Sequence, residues 1–428
     1  MSGAVKSNVF GSSGTVAAAA GGLSWADVVT ASTVTVESNK GYFINTTSNA
    51  CTVTLPASPD VGDQVILLDY ARTWDTNAIT IDSNGNDFQN QADTYTVDYD
   101  TEGQGINIVF SGSTNGWIPN SDIANALDHS PPPTQRAVFA YGVRSSSVQN
   151  MSNLVNSSGV MASDVTGVGT ARWAPMATTY GGDKGIFAFG YTGSGGSMIN
   201  TRNLVNNVGV IAADATGAGQ TRMAGSAATY GGIAAGTAII GFGDLGGNGT
   251  GITNLVSNTG VVAADTAEVG SIRYGVAAVG YGTDKAAFAY GVNAHVSSSH
   301  LSMKNLVGTN GVVASDVSGV GTARSFLDAA SYGLDKGAFA YGYTGSDVSV
   351  KNLINNSGVI AADVSGVGTA RREVSGSGYG GDKGIFVYGY ENLSQSNLMN
   401  NSGVIAADVT GVGTGRSQSS GCGYSFSA

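Results

Sequence analysis

The sequence predicts an all-β protein: an N-terminal β-sandwich-like module followed by a six-bladed β-propeller closed by its own C-terminal strand. Three observations carry that reading. Glycine accounts for 65 of 428 residues, proline for 7 and charged residues for 11%, a turn-rich composition that suits many short strands. The phrase Asn-Leu-Val-x-x-x-Gly-Val-x-Ala-x-Asp and its variants start at Asn153, Asn203, Asn254, Asn305, Asn352 and Asn397, at intervals of 50, 51, 51, 47 and 45 residues. Six units of that size match four-stranded propeller blades. The array is also out of phase with itself, opening in mid-unit and ending in a lone strand.

The N-terminal third differs in charge. Residues 1–130 hold 14 acids and 3 bases, whereas 131–428 hold 16 of each, so the whole net charge of −11 belongs to the first part. Residues 1–33, rich in Gly, Ala and Ser, read as an extended segment with Trp25 as an anchor. The module spans 34–120, with strands expected at Val34–Glu37, Gly41–Asn45, Cys51–Leu55, Gln64–Asp69, Ala78–Ile81 and Ile106–Phe110, separated by turns such as Ser58-Pro59-Asp60. Residues 121–135 contain Pro131-Pro132-Pro133, a stiff linker. The propeller takes 136–428.

Four strands are expected in each repeat. Strand a follows an arginine, as in Arg172 to Tyr180. A Gly-Gly-Asp-Lys turn leads to strand b, Gly185 to Tyr191. Strand c holds Asn203 to Asn206, and strand d runs from Val210 to Ala215. Alternation along strand b places Phe187 and Phe189 on one face, opposite Ala188 and Gly190. The pairs Phe139/Tyr141, Phe288/Tyr290, Phe339/Tyr341 and Phe386/Tyr388 repeat this pattern. The first repeat begins at strand b, Ala137 to Val143, without a strand a, and the chain ends on a strand a, Gly423 to Ser427. The last strand therefore completes the first blade and removes two exposed sheet edges.

Two resemblances follow from these residues. The repeat resembles a kelch-type blade in the arginine that opens strand a and the apolar strand b that ends at glycine. It departs from kelch where a Gly-Gly doublet becomes Gly-Tyr or Gly-Val, and where the strand d tryptophan is missing. The string Leu23-Ser-Trp25, Gly41-Tyr-Phe-Ile-Asn45, Val61-Gly-Asp63, Asp69-Tyr70-Ala71 and Gly116-Trp117-Ile118-Pro119 is similar to the N-terminal module of tail-fibre and appendage proteins of marine, cyanophage-like tailed phages. The resemblance implies a noncatalytic virion structural protein, made in the host cytoplasm and located on the tail or another exterior appendage. It implies other virion proteins as partners, a homo-oligomer with a trimer favoured, and a C-terminal domain facing a host surface glycan or protein. A purely architectural decoration or collar-fibre protein is the alternative, and a glycan depolymerase a third.

Chemistry is sparse. There is no basic footprint for nucleic acid, no apolar run long enough for membrane insertion, and no nucleophile elbow, P-loop, dinucleotide fingerprint or HExxH. No cofactor and no metal site is expected: Asp82-Ser-Asn84-Gly-Asn86-Asp87 reads as a hairpin turn, and Cys51 and Cys422 are too far apart in sequence to suggest a framework. Each repeat holds an Asp/Arg pair spaced by eight residues: Asp164/Arg172, Asp214/Arg222, Asp265/Arg273, Asp316/Arg324, Asp363/Arg371 and Asp408/Arg416. Strict sixfold spacing reads as structural, one salt bridge per blade tying strand d to the next strand a. The Asp-Lys pairs of the a–b turns read as turn chemistry. The b–c loops vary most among the repeats, and variable loops on rigid scaffolds commonly carry binding. The candidate binding residues on or beside them are Tyr191, Asp244, His295, His300, Tyr343, Asp347, Tyr390 and Glu391.

Overall fold

The computed structural model describes residues 23–93, 97–120, 134–193, 195–293 and 299–427. The extended segment up to residue 22, the proline linker and His295 lie outside the described residues. The chain divides into two compact units between His129 and Ser130.

The first unit is all-β. Its strands are β1 (Ser24–Trp25), β2 (Thr33–Thr35), β3 (Lys40–Ile44), β4 (Cys51–Thr54), β5 (Gln64–Asp69), β6 (Ile79–Asp82), β7 (Val97–Tyr99), β8 (Gly105–Phe110) and β9 (Trp117–Pro119). The chain alternates between two sheets, ordered β1-β3-β5-β8-β9 and β2-β4-β6-β7. Returning to the same sheet on every second strand makes β1–β3–β5 and β2–β4–β6 parallel, which strand patterning alone does not reveal. Buried Ile44, Leu67 and Ile108 of one sheet share a core with Val53 and Ile81 of the other.

Among the described residues the second unit contains six three-stranded antiparallel sheets, each of strands a, b and c, and two two-stranded hairpins, at Val143–Val148 and Val292–His300. The a strands of the second to sixth sheets are Met176–Tyr180, Ser226–Tyr230, Ala277–Tyr281, Asp328–Tyr332 and Ser375–Tyr379. The first sheet takes its a strand from the chain end: Ser420–Tyr424 pairs with Arg136–Ala140, aligning Val138 with Cys422. The closing strand thus lies three residues earlier than expected. Strand a of the second sheet begins at Met176 rather than at Arg172, because Ala174 has a positive φ of 47° that breaks the extended run.

The expected fourth strand is not formed as a strand. Segment d is held to strand c by two isolated bridges, Val205↔Ile211 and Arg202↔Ala215 in the second sheet. The face assignment in strand b also needs correction. Strand b of the second sheet ends at Ala188, and Phe189 adopts φ 61°. Tyr141, Phe242, Tyr290, Tyr341 and Tyr388 do the same at equivalent positions. This left-handed residue reverses the alternation, so Phe187 packs toward the first sheet and Phe189 toward the third. The following glycine, Gly190, has φ 115°, and a Cβ there would lie 3.0 Å from the Trp173 carbonyl oxygen. A side chain cannot replace it without strain.

Each pair of neighbouring sheets shares one apolar cluster, including the sixth and first sheets through Tyr379, Ile385 and Phe139. Backbone hydrogen bonds run between the sheets in the same order. Ala224 donates to Ala174, Gly275 to Ala224, Phe326 to Gly275, Glu373 to Phe326, Gln418 to Glu373 and Ala174 to Gln418, at 2.7–3.2 Å. At the a–b turns, Gly181 donates to Gly236, Gly231 to Asp284, Gly282 to Asp335, Gly333 to Asp382, Gly380 to Gln135 and Ser425 to Asp183. Both sets return to their starting sheet. The turn acids Asp183, Asp284, Asp335 and Asp382 also pair with the lysines that follow them.

Candidate functional site

The six arginines and six aspartates are brought together, but not as the eight-residue spacing suggests. Arg273 is fully buried. It donates through Nε to the Tyr290 carbonyl at 2.9 Å, through Nη1 to the Ser271 carbonyl at 3.0 Å and through Nη2 to Asn305 Oδ1 at 2.6 Å. Its carboxylate neighbour is Asp316, at 3.8 Å, not Asp265, which faces Arg222 at 3.9 Å. Arg371 likewise faces Asp408, Arg172 acts on Asp214, Arg324 on Asp363, and Arg416 from the chain end on Asp164 near its beginning. The ion pair therefore lies within one sheet.

In four of the sheets an asparagine joins the two charges, while Arg324 and Arg416 turn Nη2 to the Phe339 and Phe139 carbonyls instead. Asn305 Nδ2 donates to Asp316 Oδ1 at 2.9 Å, and the other five phrase asparagines make the same bond at 2.9 Å. Each aspartate also receives the backbone N–H two residues before its arginine, as Asp164 does from Thr414. Burial alone would raise the Asp164, Asp214, Asp316, Asp363 and Asp408 carboxyls. Their side-chain and backbone hydrogen bonds outweigh that and hold them below the ordinary value. The repeated glycine of Gly-Val-Gly-Thr-Ala-Arg makes room for this group: a Cβ on Gly169 would lie 2.3 Å from Asp214 Oδ1. Above each guanidinium lies the left-handed aromatic of the preceding sheet, at 3.9–4.2 Å. In all six networks the arginine is buried.

The candidates on the b–c loops divide. Asp244 is buried at a strand end, because strand b of the third sheet extends over Thr237–Asp244 and strand c begins at Gly249. Its Oδ1 accepts the amides of Gly246 and Gly247, so it closes a hairpin turn. Tyr191 packs edge-on against Trp173 at 5.9 Å. Glu391 is exposed and left-handed, with φ 66°.

His300, Tyr343, Asp347 and Tyr390 converge through a residue not singled out in the sequence, Arg372. Its guanidinium carbon lies 3.6 Å from the Tyr390 ring centroid and 4.6 Å from that of Tyr343. Nη1 donates to Asp347 Oδ1 at 2.8 Å. His300 packs edge-on against Tyr343 at 5.7 Å, with Nδ1 3.1 Å from Ser325 Oγ. Burial lowers the His300 pKa below its ordinary value, favouring the neutral ring. The group joins loops from three sheets, and 39% of Tyr390 is exposed. A signal for it was available: the residue after each repeated arginine is Trp173, Met223, Tyr274, Ser325, Arg372 or Ser417, a variable position beside an invariant one.

A second feature is a cavity of about 630 Å³, walled by all six a strands. Asp328 lines it. Its Oδ1 accepts the Ala329 amide at 2.8 Å and its Oδ2 the Gly376 amide at 2.7 Å. Burial pushes its pKa up to about 7, against the pull of these two amides. A raised carboxyl binds its proton more tightly in the native state, so its own contribution to stability is full below pH ~4 and is lost as pH rises through 7. Urea titrations from pH 4 to 8 are expected to show it, and Asp328→Asn is expected to flatten that stretch of the curve. An equal slope in the variant would place the titration elsewhere.

In the first unit, Asp82 Oδ1 accepts the Asn84 amide and Asn84 Nδ2 donates to the Leu55 carbonyl, a turn that uses its polar groups internally. Cys51 and Cys422 are buried free thiols. Among the described residues no helix is long and apolar enough to cross a membrane. No protein-family model and no curated protein matches the chain.

Proposed function

We propose that the protein is a noncatalytic virion appendage of the tail-fibre kind, whose six sheets are the blades of a closed propeller presenting the b–c loops to a host surface glycan. The observation that carries this reading is Arg372 held between Tyr343 and Tyr390 at the loop end of the sheets. An exposed aromatic, Tyr390, beside a fixed cation suits stacking and hydrogen bonding to sugar rings. The half-buried Trp173–Tyr191 pair on the second sheet offers a second aromatic group. The networks beneath these loops fix the backbone that carries them, as a rigid scaffold for binding requires. The closed order of hydrogen bonds between sheets supports the propeller. The acidic N-terminal unit attaches the protein to other virion proteins and assembles it, as a trimer.

Full-length protein arrayed against whole marine cyanobacterial cells and their purified surface polysaccharides tests this. Arg372→Ala and Tyr390→Ala are each expected to weaken binding at least tenfold, about 1.4 kcal/mol, with an unchanged melting temperature. Wild-type binding by both variants would remove this cluster from the account. Binding to virion proteins alone would establish the architectural reading, and release of reducing ends would establish a depolymerase.

A further inference from the structure

The internal repeat supplies its own control for the cavity. Position one of strand a is Met176, Ser226, Ala277, Asp328, Ser375 or Ser420. Two of the other five tie to the neighbouring sheet through a hydroxyl: Ser375 Oγ lies 2.6 Å from Ser419 Oγ, and Ser420 Oγ donates to the Pro175 carbonyl. Asp328 ties to Gly376 of the next sheet, whereas Met176 and Ala277 hold the same position with no polar side chain, so the scaffold needs no charge there. Asp328 is half-buried at the cavity wall, and a carboxylate drawn partly out of water is costly without a cation.

The cavity's one basic lining residue, Lys285, is already paired with an acid of its own turn, Asp284, at 2.9 Å. The cavity's other ionisable lining groups are Glu373, Tyr281, Tyr332 and Cys422. Neither strand packed beside Asp328, Ala277–Tyr281 or Ser375–Tyr379, carries a basic residue. The remaining wall mixes small apolar side chains such as Ala228, Val279 and Ala330 with the hydroxyls of Thr178, Ser226 and Ser377. A volume of about 630 Å³ is in the range of small-molecule sites.

We propose that this cavity binds a small organic cation, an alkylammonium, with Asp328 as its anchoring carboxylate. The alkyl part lies on the alanine and valine surface, and the ammonium donates to the free lone pairs of the carboxylate. A hard divalent ion fits poorly, since it wants six to eight oxygens and the described residues hold no cluster of three metal-binding side chains. The proposal is independent of the host-surface reading.

Titration calorimetry of the full chain with butylammonium chloride at constant ionic strength, with butanol and calcium chloride as comparison ligands, tests it. Saturable butylammonium binding is expected at pH 8. It should weaken at least tenfold at pH 5.5, where the carboxyl is protonated, and disappear in Asp328→Asn and in Asp328→Ser, which installs the residue that three sheets already carry. Butanol should give no saturable heat. Absence of butylammonium binding at pH 8, retention of it in either variant, or a stronger Asp328-dependent signal from calcium would overturn the proposal.

Discussion

Removing Ser420–Ala428 is expected to abolish cooperative unfolding of the 130–428 unit. The strand lost aligns five residues with Arg136–Ala140 and buries Cys422 and Tyr424 in the cluster between the first and second sheets. Its ladder and apolar surface together contribute at least ~5 kcal/mol, which is comparable with the whole stability of a typical domain. The damage spreads because the deleted segment also carries Ser425, one link in the turn-end set of inter-sheet hydrogen bonds. Without Ser425 the turn at Asp183 loses its donor, and the ends of the first and second sheets separate. Deleting residues 426–428 alone leaves the ladder intact and is expected to change little. Calorimetry of the two truncations checks this. Equal melting of the longer deletion and the full chain would mean that the first sheet stands without its third strand.

Arg273→Ala is expected to cost about 3–5 kcal/mol, the range for removing one member of a buried charged network. The loss leaves Asn305 Oδ1 and the Tyr290 carbonyl without their donor, and uncovers the Phe242 ring. Arg273→Lys recovers only part of this, because an ammonium cannot reach three acceptors in the fork geometry of a guanidinium. Asp316→Asn should cost less, roughly 1–2 kcal/mol, because Asp316 stands 3.8 Å from the guanidinium and its shorter contacts are to Ser271 and Asn305. Urea unfolding of the three variants checks the order. If Asp316→Asn matched Arg273→Ala, the direct ion pair would be the main interaction and the asparagine bridge secondary.

The repeat carried much of this architecture in plain sight. Its phase placed the C-terminal strand against the first repeat, because a chain that begins at strand b and ends at strand a leaves one partner for each. What remained hidden has local physical causes. Phe189 and its equivalents look like members of an alternating strand, yet a left-handed backbone turns them to the other side, and no composition rule marks an aromatic for that conformation. The eight-residue spacing of Asp265 and Arg273 suggested a local pair, but the chain crosses between sheets there, so each finds a partner far away in sequence. Asn305 was visible as a repeated letter whose role emerges only when strand c is set beside the arginine. The parallel pairing of β3 with β5 depends on chain alternation between two sheets, which strand patterns do not record. At the loop end, Arg372 was masked by its position beside Arg371, and Asp244 looked like a loop residue because the longer hairpin of the third sheet was unforeseen.

The last strand is an integral member of the first sheet. Native-state hydrogen exchange of the amides in Ser420–Tyr424 measures that directly. The prediction is that those bonded to Arg136–Ala140 exchange only through global unfolding, as slowly as Ile186 and Phe187 in the second sheet. Exchange within seconds at neutral pH, as in a fraying terminus, while the second sheet stays protected, would contradict it.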